Sequence, residues 1–402
     1  MRNDIEVAGH LRVTVVDDEP GFDGLREDWD RLLGRSRSAT PFLTWEWARA
    51  WWTAYGGGAR LWILKITQNE HLIALAPFYR ARVVRAGLSY RALYFIGDNS
   101  NDSDYLDVIA AEGDEKSAVA ALGAFLARQR SAWSLLFLNE VPRSSPNLSL
   151  IRAIAETEGW RWHESEVPCT IASLPSTWSE YLGHLRPRMR TKVRSLCREL
   201  EAGHDVQFVR EEAGEDLDAR LESLFELHTK RWLEDGQPGV FGSGAKRRFY
   251  REMSERFLSR GWLRLYSLRV DGSFVAHQLC FQYGSTMFLL QEGYDPRWTE
   301  SGVGNVLRVY VLRDCIERGL VTYDFLGGVT THKLSWGGSV KESVRVAIGR
   351  PTLRNRLYFE LPDALAAARR GLERVLPAPA MQWVRRLAAG RLTGQAPPRT
   401  LG

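Results

Sequence analysis

Short β-rich runs and amphipathic helical stretches alternate along this chain, and the order repeats once. In the first half, LRVTVVDD from Leu11 reads as a strand and residues 22–33 as an amphipathic helix. Thr44 is placed to cap an aromatic-rich helix, WEWARAWW, that ends in glycines. RLWILKITQNEHLIALAPFYRARVV reads as a hairpin turning at Gln68-Asn69-Glu70. SYRALYFIG and DYLDVIA predict further strands, then a helix over residues 115–130, the strand WSLLFLNEV and a helix over residues 148–158.

The second half follows the same order. Helices are predicted over 176–185 and 188–202, then the strand DVQFVRE, then helices over 216–233 and 245–259. The stretch WLRLYSLRVDGSFVAHQLCFQYGSTMFLLQEGYD reads as three antiparallel strands, with Asp271-Gly272 as the first turn. A helix over 303–318, the strand VTYDFL and a late strand over 343–348 complete the pattern. LKITQNEHLIALAPF and LRVDGSFVAHQLCF, about two hundred residues apart, share an apolar–basic–apolar start, a polar turn and an Ala-containing return strand. This weak internal repeat and the matching element order predict a duplicated α/β unit.

Composition adds little to this picture; charge adds more. The chain has 402 residues, more than one typical domain. No apolar run reaches the roughly 20 residues needed to cross a bilayer, and the N-terminus lacks the apolar core of a secretory signal. The four cysteines are scattered without metal-ligand spacing, which predicts free, mostly buried thiols, no metal, and a cytoplasmic protein. Of the net charge of +5, residues 351–402 carry a surplus of six, so the body is close to neutral and the tail is basic. A neutral body argues against a dedicated nucleic-acid-binding domain.

Candidate chemistry gathers in two stretches of the second half. In EGYDPRWTESGVGNVL, a strand ends and a helix begins on Gly302-Val303-Gly304-Asn305. Glycines at a helix start leave N–H groups exposed at the positive end of the dipole, a setting for phosphate. In YDFLGGVTTHKLSWGG, from Tyr323, one of only seven lysines in the chain, Lys333, lies beyond Asp324 and a Gly-Gly pair. The densest basic run is LRPRMRTKVRSLCREL, where Arg190, Arg194 and Arg198 recur at helical spacing.

Strand, EGYDPRW…SGVGNVL, helix, and YDFLGG…HKLSWGG together resemble the second domain of tandem GNAT-fold acyltransferases. FLTWEWARAWW, the basic run and LFELHTKRW add to the resemblance, which covers residues 40–350. The group includes the CelD-like acetyltransferases associated with cellulose and exopolysaccharide synthesis, and it is related to the Fem aminoacyltransferases. The resemblance implies an α+β fold of two GNAT-like domains. It divides the chain into a degenerate unit shaping the acceptor cleft (1–165), a donor-binding acyltransferase unit (166–350) and a basic helical tail (351–402).

It further implies acetyl-CoA or another acyl-CoA as donor, with its pyrophosphate near Gly302, Val303, Gly304 and Asn305. Glu300-Ser301 stands where GNAT loops carry a Gln or Arg. Lys333 matches a lysine that lies beside the transferred group, where an ammonium stabilises an oxyanion or holds a phosphate. Glu292 and Asp324 are alternative bases, and Tyr294 or Tyr323 a proton donor; His277 reads as a core group. Arg190, Arg194 and Arg231 are expected to grip an anionic, nucleotide- or lipid-linked amino-sugar acceptor. Trp336 is placed on the substrate side, with packing as its first expectation.

The implied activity is N-acylation in envelope or exopolysaccharide synthesis. The alternatives are a Fem-like transferase using charged tRNA and a catalytically inactive GNAT-fold binding protein. Leu365, Leu372 and Val375 with interspersed arginines would let the tail lie on the inner face of an anionic membrane or dock on the body.

Overall fold

The structure is a computed structural model that describes residues 5–8, 10–211, 214, 216–234 and 236–360. The first half contains strands β1 (Ile5–Ala8), β2 (Leu11–Val16), β3 (Arg60–Gln68), β4 (His71–Arg85), β5 (Leu88–Phe95), β6 (Ile109–Ala110) and β7 (Leu135–Pro142). Its helices are α1 (Glu19–Gly24), α2 (Arg26–Leu33), α3 (Trp45–Tyr55), α4 (Glu115–Arg128) and α5 (Pro146–Thr157). The second half has β8 (Arg161–Ser173), β9 (Val206–Glu211), β10 (Leu263–Val270), β11 (Ser273–Tyr283), β12 (Thr286–Tyr294), β13 (Thr322–Gly327) and β14 (Ser339–Gly349). Its helices are α6 (Trp178–His184), α7 (Pro187–Gly203), α8 (Leu217–Glu234), α9 (Gly244–Ser259), α10 (Val303–Glu317) and α11 (Thr331–Ser335).

The expected α+β class and duplicated order are both present. One 14-stranded sheet runs β1-β2-β3-β4-β5-β7-β14-β8-β13-β12-β11-β10-β9, with β6 paired to β4. Each half is antiparallel except at one step: β5 pairs β7 in parallel, and β12 pairs β13 in parallel. These steps are short. Only Ala92 and Leu93 of β5 meet β7, and only Thr286–Phe288 of β12 meet β13. Both halves therefore splay at the corresponding place. The expected division at 165/166 lies inside β8, which pairs with β14 on one side and β13 on the other. β14, the last strand, also joins β7 of the first half.

Both predicted hairpin turns form. Asn69 and Glu70 sit at φ 48° and 66°, Asp271 and Gly272 at φ 49° and 80°, the left-handed pairs of two-residue hairpins. Thr44 caps α3 through its side chain to the Trp47 N–H. The halves share a core: Trp47 of α3 meets Phe249 of α9 edge-on at 5.0 Å. Lys246 of α9 pairs with Asp102 of the first half at 2.7 Å, and the Tyr250 hydroxyl donates to the same carboxylate at 3.0 Å. All four cysteines are free and at least half-buried, as expected.

Two expectations are corrected. Residues 22–33 do not form one helix; α1 starts earlier because Asp18 caps it, and α1 and α2 meet at Leu25. DYLDVIA is not a strand beyond Ile109–Ala110. Tyr105 adopts φ 53°, and Asp107 accepts from Ser38, Ser145 and the Val108 N–H, bonds that compete with a ladder. In the tail, residues 353–360 are helical. Leu365, Leu372, Val375 and the rest of the expected tail face lie outside the described residues.

Candidate active site

The splay in the second half opens a cavity of about 640 Å³. Its walls follow from the strand geometry. After Phe288, β12 leaves β13 through a bulge at Leu290 and continues to Tyr294 paired only with β11. β13 stays with β8, which it pairs from Thr322 to Gly327 with a bulge after Asp324. Glu292, Tyr294 and Phe325 line the gap, the start of α10 closes one end, and Thr330, His332 and Lys333 close another. Gly293 is required here, because a Cβ would lie 2.7 Å from the backbone nitrogen of His228 on α8.

The start of α10 has no side-chain cap. Gly302 is its N-cap at φ 60°, a left-handed conformation that glycine adopts without strain. A Cβ there would meet Leu196 of α7 at 2.8 Å, and one on Gly304 would meet the Tyr294 ring at 3.3 Å. Gly302, Val303, Gly304 and Asn305 all line the cavity, as the sequence predicts. Lys192 and Arg231 bring positive charge, and the Arg231 guanidinium lies over the Tyr294 ring. The Gly302 and Asn305 N–H groups donate to the carbonyls of Thr299 and Gly302, which leaves those of Val303 and Gly304, with the glycines and two cations, to fit a pyrophosphate.

Below the helix start lies a buried polar network. Arg308 of α10 is 2% exposed and forms an ion pair with Glu292 of β12. Gln278 donates to the same carboxylate at 3.1 Å and accepts from the Tyr323 hydroxyl at 3.2 Å. Burial alone would raise the Glu292 pKa; the Arg308 charge and hydrogen bond outweigh it and hold the pKa below the usual range. His332, at the mouth, lies 3.1 Å from the Asn305 amide oxygen, and burial and Arg308 lower its pKa to about 4. It is a neutral imidazole at pH 7. Arg308, Gln278 and His332 escape a reading of the sequence, although one signal was there: Arg308 interrupts the apolar run VLRVYVL of α10.

The remaining predicted residues divide. The Lys333 ammonium donates to the carbonyls of Phe325 (2.9 Å), Leu326 (3.4 Å), Gly327 (2.5 Å) and Gly328 (3.3 Å). This corrects the expectation of an ammonium free to meet an oxyanion: three protons already face four carbonyls, and Lys333 clamps a turn in which Leu326 sits at φ 60°. Asp324 points away from the cavity, as strand alternation requires, since its neighbour Phe325 lines it. There it accepts from the Tyr105 hydroxyl of the first half, at 3.1 and 2.9 Å, and from the Leu326 N–H. Trp336 is fully buried, and its carbonyl accepts from Tyr181 at 2.6 Å; it is packing. His277 is a satisfied core histidine between Ser267 and Ser223. Arg194 and Arg198 line a separate groove with Trp178 and Arg313. Two residues along a helix turn about 200°, so Lys192 and Arg194 cannot share a face. Arg190 is not among the cavity residues.

Residues 187–334 match the family model described as an acetyltransferase (GNAT) domain. That span holds every residue lining the cavity. The second half is a GNAT acyltransferase domain. No curated protein matches the sequence. Among solved structures, the chain is similar to FemX at 13% identity and a TM-score of 0.58, covering 83% of this chain and 97% of that one. It is also similar to a conserved protein of unknown function from Bacteroides thetaiotaomicron, at 13% identity and a TM-score of 0.54, covering 87% and 100%. Both likenesses extend beyond the GNAT domain into the first half, so the two-unit fold is shared as a whole. Among the described residues no group of side chains suits a metal, and no helix is long and apolar enough to cross a membrane.

Proposed function

We propose that the protein transfers an acetyl or other acyl group from acyl-CoA to the amine of an amino sugar or a related envelope or exopolysaccharide precursor, in the manner of the CelD-like enzymes. The observation that carries this reading is the uncapped, glycine-built start of α10 at the head of an open wedge, flanked by Lys192 and Arg231. Acyl-CoA supplies an activated thioester, and the wedge between β12 and β13 is the path for its pantetheine arm. Gly302 to Asn305 hold the pyrophosphate, with Lys192 and Arg231 as counter-charges.

Glu292 is fixed by Arg308 and Gln278, so its carboxylate stays ionised and positions the incoming amine. Neutral His332, at the mouth, accepts the proton from that amine, directly or through water, and its low pKa lets it pass the proton on to the CoA thiolate as the thioester C–S bond breaks. The Tyr294 ring forms the wall against which the donor lies. Lys333 is a positioning residue: its ammonium shapes the turn that ends β13. Asp324 ties that strand to Tyr105, so the first half supports the cleft from behind.

Calorimetry with CoA and acetyl-CoA, followed by thiol release in the presence of amino-sugar phosphates and nucleotide amino sugars, tests the reading. One CoA site per chain and amine-dependent thiol release are expected. Binding of charged tRNA with no response to CoA would transfer the site to aminoacyl donors. No response to either would make it a binding protein.

A further inference from the structure

At the opposite end of the sheet lies a second cavity, of about 700 Å³. β14 spans the distance: Gly338, just before it, packs against Lys333, and Gly349 ends beside this second cavity. Eleven residues at roughly 3.4 Å each put the two sites on the order of 35 Å apart. Arg82, Arg91, Arg130, Arg350 and Arg354 line it, against one carboxylate, Glu158. Arg82, Arg91 and Arg130 form no ion pair among the described residues. Arg350 is 9% exposed, lies over the Trp133 ring and donates to the Ala127 carbonyl at 3.1 Å. Burial, then the neighbouring Arg130, hold its pKa down, with Glu158 acting the other way.

Protruding apolar side chains flank this end of the first half on both sides of the β4–β5 hairpin. Leu353 and Val84, 80% and 68% exposed, are the two most exposed large hydrophobic residues among those described. Neither lines the cavity itself, but each adjoins residues that do. Arg82 pairs Arg91 and Val84 pairs Ser89 in the β4–β5 ladder, so strand alternation puts all four side chains on one face. Leu353 stands between Thr352 and Arg354, which also line the cavity, and Leu357, exposed as well, follows one helical turn later. The helix 353–360 leads directly into the rest of the basic stretch 351–402, whose charge surplus is six.

We propose that this end of the first half docks on an anionic lipid surface, with a headgroup phosphate held in the arginine cavity and Val84, Leu353 and Leu357 entering the interface. Arginines flanking isolated exposed apolar side chains are the chemistry of interfacial binding. A packed protein partner would instead call for a continuous apolar patch. The inference does not depend on the acyl-transfer reading.

Co-sedimentation of the full chain with phosphatidylcholine vesicles, with and without phosphatidylglycerol, tests it. Binding is expected only with the anionic lipid, and it should weaken from about 0.1 M to about 1 M salt, where the screening length falls from about 10 to about 3 Å. Arg82→Ala/Arg130→Ala removes two unpaired exposed charges and should keep the wild-type melting temperature. It should weaken vesicle binding about thirtyfold. Leu353→Ser should weaken binding to anionic vesicles while leaving its salt dependence intact. Equal binding by wild type and Arg82→Ala/Arg130→Ala overturns the proposal, as does a loss confined to Arg385→Ala/Arg386→Ala in the tail. Binding of inorganic phosphate that is lost in Arg82→Ala/Arg130→Ala, without any vesicle binding, also overturns it, in favour of a soluble phosphate ligand.

Discussion

The two halves build the same splay and finish it differently. In the first half the chain leaving β5 folds back into the gap. Asp98 accepts from Asn139 of β7 at 2.7 Å, Ser103 accepts from Trp47 at 2.9 Å, and Tyr105, Leu106 and Val108 are buried. Its helix, α4, begins on Glu112-Gly113-Asp114-Glu115, where carboxylates repel a phosphate. The residues α4 buries are Ala118, Val119, Ala121, Leu122, Gly123, Phe125 and Leu126, with no charge among them. In the second half the gap stays open, α10 begins on glycines, and it buries Arg308 to meet Glu292. A shared backbone thus carries an open, glycine-headed wedge in one copy and a plug in the other. The difference lies in helix-start charge and in what fills the wedge.

The largest expected effect comes from breaking the network peculiar to the second half. Arg308→Ala leaves Glu292 partly buried without its counter-charge and should cost about 3–5 kcal/mol of stability. Denaturant titration measures this, and adding Glu292→Gln should recover part of the loss by removing the orphaned charge.

Next is the phosphate-binding contrast. Gly304→Asp gives α10 the acidic start of α4 and should weaken CoA binding by about ten- to a hundredfold. Calorimetry on the wild type should also give one site per chain; a second would mean that α4 binds too.

A smaller effect separates the glycines themselves. Gly302 and Gly113 both have positive φ, 60° and 90°, but a Cβ meets Leu196 only at Gly302. Gly113→Ala should cost about 1 kcal/mol in strain, and Gly302→Ala more, because α7 must give way. Equal losses in melting experiments would mean that α7 does not press on the helix start.

A further contrast is a pH slope at the junction of the halves. Burial, then repulsion from Glu140 and Asp324, raise the Asp104 pKa from 3.8 to about 7. Between these values the folded chain binds more protons than the unfolded one, so Asp104 makes stability fall as pH rises from about 4 through about 7. Asp104→Asn should flatten that slope without removing it, because Asp98 titrates in the same window.

Sequence alone determined the parts governed by local physics. The Asp271-Gly272 turn, the Thr44 cap and the start of α10 at Val303 each follow from a few adjacent residues and their backbone preferences. The alternation of runs determined the duplicated order, the glycines at the helix start marked the cradle, and the α+β class is what the resemblance implied. The tertiary structure decided whatever depends on residues far apart in the chain. Glu292 meets Arg308 across a strand–helix junction, and Asp324 turns from the cavity to Tyr105, more than two hundred residues away. Lys333 looked free because its partners are backbone carbonyls, which no residue type announces; Arg194 looked like Lys192 until the helix was placed against α10. Which half remains open was likewise decided by burial of the loop after β5. Its aspartates read as polar turn residues in the sequence, yet in the folded chain Asp98, Asp102 and Asp107 are buried and hydrogen-bonded.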